Sequence, residues 1–312
     1  MAGADGMLTR SATLSRIAVD RDDPERLDSR GLVIAVLTMA ILGGSYAMVK
    51  LGLRDLPVFG SLLLRMIVAT LILYAYSRWR GLPLAYRGRA ARFLVAGTVV
   101  FVAQQVLLYL GLTMTTAGRA AILFNAQPFF TLLLLPWFVP SERLTARRGA
   151  GTALAFVGVV LVLLERGTAG GSLWGDLLVL LGALGWAGNT ILNKLMPREL
   201  PTVSAILWSV AGAIPPMAVL TLLLEPGGRW HVTAAAVGSV LYLGAVVAGF
   251  GFVVFVWLTR TYSPSRVNVF VFLAPVFGVL IGWAVLGEPI SALQAVGGLA
   301  VAAGILVVNT RG

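Results

Sequence analysis

Residues 125–158 read NAQPFFTLLLLPWFVPSERLTARRGAGTALAFVG, and a near copy returns at 272–304 as FLAPVFGVLIGWAVLGEPISALQAVGGLAVAAG. In the first stretch Pro128 lies in an apolar run, Glu142 follows where the run ends, and Gly151 and Gly158 punctuate the next one. Pro275, Glu288, Gly297 and Gly304 take those places in the second. The glutamate precedes the two glycines by the same spacing in both copies, nine and then seven residues, while the proline-to-glutamate spacing differs by one. Chance similarity between apolar helices reproduces composition, not these landmarks in order.

The composition is that of a membrane protein. Of 312 residues 58% are hydrophobic and 12% charged, against about 25% charged in soluble chains. A spanning helix needs about 20 mostly apolar residues. Charge-free runs lie at 31–49, 93–118, 120–141, 149–164, 177–193, 200–224, 232–259, 267–287 and 289–310, and a tenth, 56–77, is broken only by Arg65. The expected fold is therefore all-α integral membrane, with ten transmembrane helices.

Charge then orients the chain. Residues 1–30 mix arginines with aspartates and lack a packing face, so they are expected to form a disordered cytoplasmic tail. The first long apolar run starts near Leu32 and is long enough to stay in the bilayer, unlike a cleaved signal peptide. With that tail inside, Arg78, Arg80, Arg87, Arg89, Arg92, Arg143, Arg147, Arg148, Arg198, Arg260, Arg266 and Arg311 share its side. Only Arg54, Arg119, Arg166 and Arg229 fall opposite. This positive-inside bias puts both termini in the cytoplasm. The net charge of +11 thus reads as topology and contact with anionic lipid, not nucleic-acid binding. With 22 arginines to two lysines, the chain reads as the product of a GC-rich bacterial genome, and the expected location is the inner membrane.

Further landmarks recur. Lys50 precedes Arg54, Asp55, Leu56 and Pro57 as Lys194 precedes Arg198, Glu199, Leu200 and Pro201, with seven residues from lysine to proline in both. Ala117 and Arg119 correspond to Pro264 and Arg266, eleven and nine residues before Pro128 and Pro275. Each half, 31–166 and 173–310, therefore holds five helices, and an odd number forces the two copies to cross in opposite directions. Such inverted repeats are common in secondary transporters, with the substrate site near the midplane between the halves.

Over residues 32–309 the chain resembles the drug/metabolite transporter superfamily, specifically its ten-helix EamA-type members. The resemblance rests on the paired proline, glutamate and glycine signatures and on Gly175, Asp176 and Leu177 with Trp186 opening the second half. It implies a basket of helices around a cavity lined mainly by helices 1, 3, 4, 6, 8 and 9, with helices 5 and 10 peripheral. It also implies traffic in amino acids, other small metabolites or xenobiotics, usually outward. The first half departs from the pattern: Leu42 to Tyr46 stand where many relatives carry a tryptophan-glycine pair.

Read on their own, the polar residues of the apolar runs are mostly amides. Gln104 and Gln105 in helix 3, Asn125 and Gln127 in helix 4, Asn189 and Asn193 in helix 6, and Asn268 in helix 9 each need a partner. Interhelical hydrogen bonding or a substrate supplies it. Tyr46, Tyr109, Trp186 and Trp208 are candidate aromatic walls or interface anchors. Lys50 and Lys194 either snorkel to the interface or anchor a substrate carboxylate, one per repeat. Arg65 is the clear mid-membrane charge, and all 13 carboxylates fall in the tail or at helix ends. Pro128 and Pro275 are expected to kink helices 4 and 9 and to act in gating, and Pro215 with Pro216 to kink helix 7. Glu142 and Glu288 are expected to cap the turns before helices 5 and 10. Gly278 and Gly282, spaced as GxxxG, allow close helix packing or a dimer face, so the chain is expected as monomer or homodimer.

Enzymatic readings find little support. There is no cysteine, and the one histidine, His231, lies in a loop; no paired intramembrane aspartates and no GxSxG, HExxH or P-loop motif are present. The expected activity is export of a small metabolite such as an amino acid by alternating access, without metal or cofactor. The alternatives are a xenobiotic efflux carrier and a membrane-embedded enzyme or lipid-handling protein. With no acid or histidine at mid-membrane, either facilitated diffusion or coupling through a desolvated lysine is expected. The topology is checked by cysteine labelling in intact cells: single cysteines in the 168–172 and 227–229 loops should react from outside and those at 82–86 should not.

Overall fold

Every regular element among the described residues is helical. The computed structural model describes residues 29–138, 146–164, 171–197, 200–228, 230–262, 270–271 and 273–309. The tail to residue 28, Glu142, Arg198, Glu199, Pro264, Arg266 and Asn268 lie outside the described residues. In chain order the helices are α1 (Ser29–Gly52), α2 (Val58–Trp79), α3 (Gly88–Met114), α4 (Ala117–Phe124), α5 (Gln127–Phe138) and α6 (Ala146–Leu164). Then follow α7 (Leu173–Leu195), α8 (Thr202–Leu224), α9 (Ala234–Leu241), a π-helical segment (Tyr242–Gly251), α10 (Phe252–Thr261), α11 (Leu273–Leu286) and α12 (Ala292–Asn309). Seven stretches among the described residues are long and apolar enough to cross a bilayer, counting Ala117–Phe138 and Ala234–Phe255 as one each; Gly149–Leu164, Leu273–Leu286 and Ala292–Gly304 are shorter apolar helices.

The helix starts follow from local chemistry. Thr116, Ser172 and Thr233 stand just before α4, α7 and α9, and their hydroxyls accept from Arg119 N at 3.2 Å, Gly175 N at 3.0 Å and Ala236 N at 3.1 Å. These are side-chain caps on backbone donors that have no intrahelical partner. Helix α2 starts after Pro57, which offers no side-chain cap. Glu225 at the end of α8 supplies one instead, accepting from the Phe59 and Gly60 N–H groups at 3.1 Å.

The glycines that mark the repeat are where α6 and α12 touch. A Cβ on Gly158 would lie 2.5 Å from the Gly297 carbonyl and 2.7 Å from Val301 N, and one on Gly304 would strike the Gly151 carbonyl. The first glycine of each copy therefore meets the second of the other, so the two helices run antiparallel. Elsewhere α3 packs on α7, α1 on α11 and α2 on α8. Large side chains face outward as lipid requires, and Trp79, Trp137 and Trp174 are exposed near helix ends like interface anchors.

Two of the expected helices are not regular α-helix throughout. The 120–141 run breaks at Asn125–Ala126, and Pro128 sits in the first turn of α5. There its missing N–H costs nothing, so the proline starts a helix more than it bends one. Pro275 lies near the described start of α11, with Phe272 just before that start outside the described residues, and Pro215 with Pro216 stays inside α8. In the 232–259 run, ten residues form a π-helix that no sequence feature announced.

Replacing Gly158 by leucine should force α6 and α12 apart, costing about 1–3 kcal/mol. Thermal unfolding of the purified protein in detergent should show it, whereas Gly149→Leu, with no atom of the described residues within 4 Å of the added Cβ, should leave the midpoint unchanged.

Candidate functional site

Two adjoining cavities occupy the interior. The larger, about 420 Å³, extends from Arg65 and Gln105 past Trp186 and Asn189 to Asn193, Met196 and Thr202, at the turn between α7 and α8. The smaller, about 220 Å³, is lined by Tyr46, Gln104, Asn125, Gln127 and Ala274 among others. Arg65, Gln105, Trp186, Phe252 and Phe255 line both. An aromatic partition runs between them: Tyr46 meets Phe124 edge-on at 6.1 Å, Phe124 meets Trp186 at 5.9 Å, and Trp186 stacks on Phe252 at 6.2 Å. Helices α2 and α8, which cover most of the 56–77 and 200–224 runs and so are the second and seventh of the expected helices, contribute walls through Arg65, Met66, Thr202 and Ile206, beyond the helices that resemblance implied.

Most of the expected polar residues come together here. Gln104 Nε2 donates to the Gln105 side-chain Oε1 at 3.2 Å, leaving its own Oε1 buried and without a partner among the described residues. Asn125 bonds the Ala121 carbonyl at 2.7 Å and so closes the end of α4. Asn189, with its amide oriented to satisfy both ends, donates to the Gly97 carbonyl at 3.1 Å and accepts from Phe101 N at 3.3 Å. It thereby pins α7 to one turn of α3. Asn193 is exposed at the far end of the larger cavity. Lys194, its neighbour, is exposed and lines neither cavity. Trp208 is half-exposed and donates to the Leu84 carbonyl at 3.0 Å, away from both.

Lys50 is also outside the cavities, at the opposite end. Its ammonium lies 3.1 Å from Glu288 and donates to the Thr115 carbonyl at 2.7 Å. Glu288 in turn accepts from Ala117 N at 3.0 Å and Gly118 N at 3.2 Å, so it caps α4, a helix of the other half. The Thr115 hydroxyl donates to Asp176 at 2.6 Å, and Asp176 receives Arg119 Nε at 3.3 Å and its Nη2. Both members of that pair are buried. Asp176, expected at a helix end, lies in the first turn of α7.

Arg65 is the residue that the sequence marked as a mid-membrane charge without assigning it to a site. It is buried on α2, donates from Nη1 to the Tyr109 hydroxyl at 3.2 Å and lies over that ring at 5.8 Å. Its Nε is buried without a partner among the described residues. The π-helical segment, which sequence patterning missed, packs against the same turn of α2: a Cβ on Gly244 would lie 2.7 Å from Val68 and 3.0 Å from the Arg65 carbonyl.

Comparison with known proteins agrees with this architecture. The EamA-like transporter family matches residues 29–164 and again 173–310. A "probable amino-acid metabolite efflux pump" of Salmonella typhimurium is 30% identical over 88% of this chain and 93% of its own length. An "uncharacterized transporter" of Archaeoglobus fulgidus is 28% identical over 91% and 99%. A "probable terminal-alkyne amino-acid exporter" of Streptantibioticus cattleyicolor is 28% identical over 91% and 94%. One solved crystal structure shares the fold with a TM-score of 0.64, at 20% identity over 90% of this chain and 96% of that one.

Glu288→Ala should leave the Ala117 and Gly118 donors and the Lys50 ammonium without their acceptor, lowering stability by about 2–3 kcal/mol. Glu288→Gln keeps one acceptor oxygen and should cost about half as much. Thermal melts of both variants in the same detergent read the difference.

Proposed function

The chain belongs to the EamA-like transporter family, and from that membership we propose that it exports small amphipathic metabolites, amino acids or related compounds, across a bacterial inner membrane. The proposed mechanism is alternating access between two inverted halves of five spans each, ten in all, with both termini cytoplasmic. The observation that carries it is a cavity of about 420 Å³, within the usual range for small-molecule sites, that begins at the middle of α2 and α3 and leads to one end only. At the other end Lys50, Glu288, Arg119 and Asp176 tie the helices together. With the sidedness read from the arginines, this conformation loads from the cytoplasm. The antiparallel glycine contact of α6 with α12 supports the inversion, because equivalent helices of inverted halves must run oppositely. The names of the relatives support the substrate class.

A xenobiotic efflux carrier would suit the aromatic lining equally well, but a cation at the junction of the chambers disfavours the lipophilic cations that such carriers often move. Efflux of labelled compounds from proteoliposomes separates these readings. At least one apolar amino acid or acylated derivative should leave protein-containing vesicles faster than protein-free ones. Movement of nucleotide sugars alone, or of lipophilic cations alone, would refute the proposal.

A further inference from the structure

We propose that Arg65 is the anchor for a substrate carboxylate, so that this chain's cargo is a small monocarboxylate with an apolar body. The inference rests on the transporter reading and names the chemistry of its cargo. An arginine in the hydrocarbon region is costly and persists when something compensates it. The chain supplies compensation elsewhere: Arg119 has Asp176, and Lys50 has Glu288. Arg65 has only the neutral Tyr109 hydroxyl among the described residues, and its Nε remains buried without an acceptor. Because arginine stays protonated, that charge cannot be relieved by losing a proton.

Its position makes a ligand the natural counter-charge. Arg65 lines both cavities and is the one charged residue in either lining among the described residues. Gln105 also lines both, and with its carbonyl oxygen accepting from Gln104, its amide nitrogen is the group left to donate. A guanidinium and an amide donor at the junction of two chambers match the acceptor geometry of a carboxylate. Trp186 and Phe252, stacked beside them, offer an apolar surface for the rest of the molecule. No acidic side chain among the described lining residues waits for an ammonium. An acid whose amine is acylated or absent should therefore bind better than its zwitterionic counterpart.

The test is equilibrium binding to the purified full-length protein in detergent, by isothermal titration calorimetry, with phenylacetate and its uncharged isostere phenylacetamide. Wild type should bind the acid about tenfold more tightly, as expected for one charge-assisted contact. Arg65→Gln should bring the two probes to near equality, and Arg65→Lys should restore part of the preference, which a purely structural role would not predict. Gln105→Leu, which leaves the arginine intact, should weaken the acid and spare the amide, keeping the test open if Arg65→Gln fails to fold. Equal binding of acid and amide to wild type, binding of neither, or an acid preference that survives Arg65→Gln would overturn the proposal. Acid-selective binding without any transport would sink the transporter reading and leave the anchor standing, while transport without acid selectivity would do the reverse.

Discussion

One hydrogen-bonded network ties together the end of the molecule away from the larger cavity. It runs from Glu288 through Lys50 to the Thr115 carbonyl, and from the Thr115 hydroxyl through Asp176 to Arg119. Its members come from the turn before α12 and from α7, and from α1, α3 and α4, so both halves contribute. The physical need is plain at α4. This helix has eight residues, all buried, before it breaks, so its first N–H groups cannot turn to water. A carboxylate from the other half supplies the acceptor, and Lys50 supplies the charge that lets the carboxylate stay there. Glu225 serves α2 in the same way. Carboxylates here cap helices distant in sequence, so capping and tertiary assembly are one event.

Against that background Arg65 stands out by its environment. Desolvating a charge is tolerable when partners replace water, and the network does this for its cations with carboxylates. At the junction of the cavities the protein offers a phenol, an amide and aromatic rings. Pairing an arginine internally would fix α2 to another helix, as Asp176 fixes α7 to α4. Leaving the pairing to a ligand keeps that helix free of such a bond when the cavity is empty. On the proposed reading, charge placement separates the part of the molecule that is held from the part that awaits a substrate.

Much of this was legible in the sequence because the landmarks were physical requirements. Gly151, Gly158, Gly297 and Gly304 recur since two antiparallel helices approach too closely for a side chain. Gln104, Gln105, Asn125, Gln127, Trp186, Asn189 and Asn193 stood out as polar or amphipathic groups in apolar runs, and the structure gathers them around the cavities. What stayed hidden depends on neighbours distant in sequence. Nothing local to Lys50 says that Glu288 will meet it, and Lys194, its counterpart by spacing, occupies a different environment at an exposed helix end. Glu288 was expected at its own turn and instead caps α4. Arg65 was conspicuous as a charge, but only its neighbours reveal that no carboxylate among the described residues answers it.

The irregular backbone carries a related lesson. In hydrocarbon a broken or widened helix survives only where protein or a cavity covers it, because lipid cannot hydrogen-bond the groups set free. The break at Asn125–Ala126 adjoins Asn125 and Gln127 in the smaller chamber, and Ala274 beside Pro275 lines the same chamber. The π-helical segment places Val247 in the wall of the smaller cavity and Ala248 in that of the larger. The seam between α6 and α12, by contrast, is regular helix throughout and lines neither cavity. Departures from regular helix therefore trace the cavities independently of the polar side chains. That two unrelated requirements, one of backbone and one of side chain, converge on the turn of α2 carrying Arg65 makes that turn the structural centre of the site.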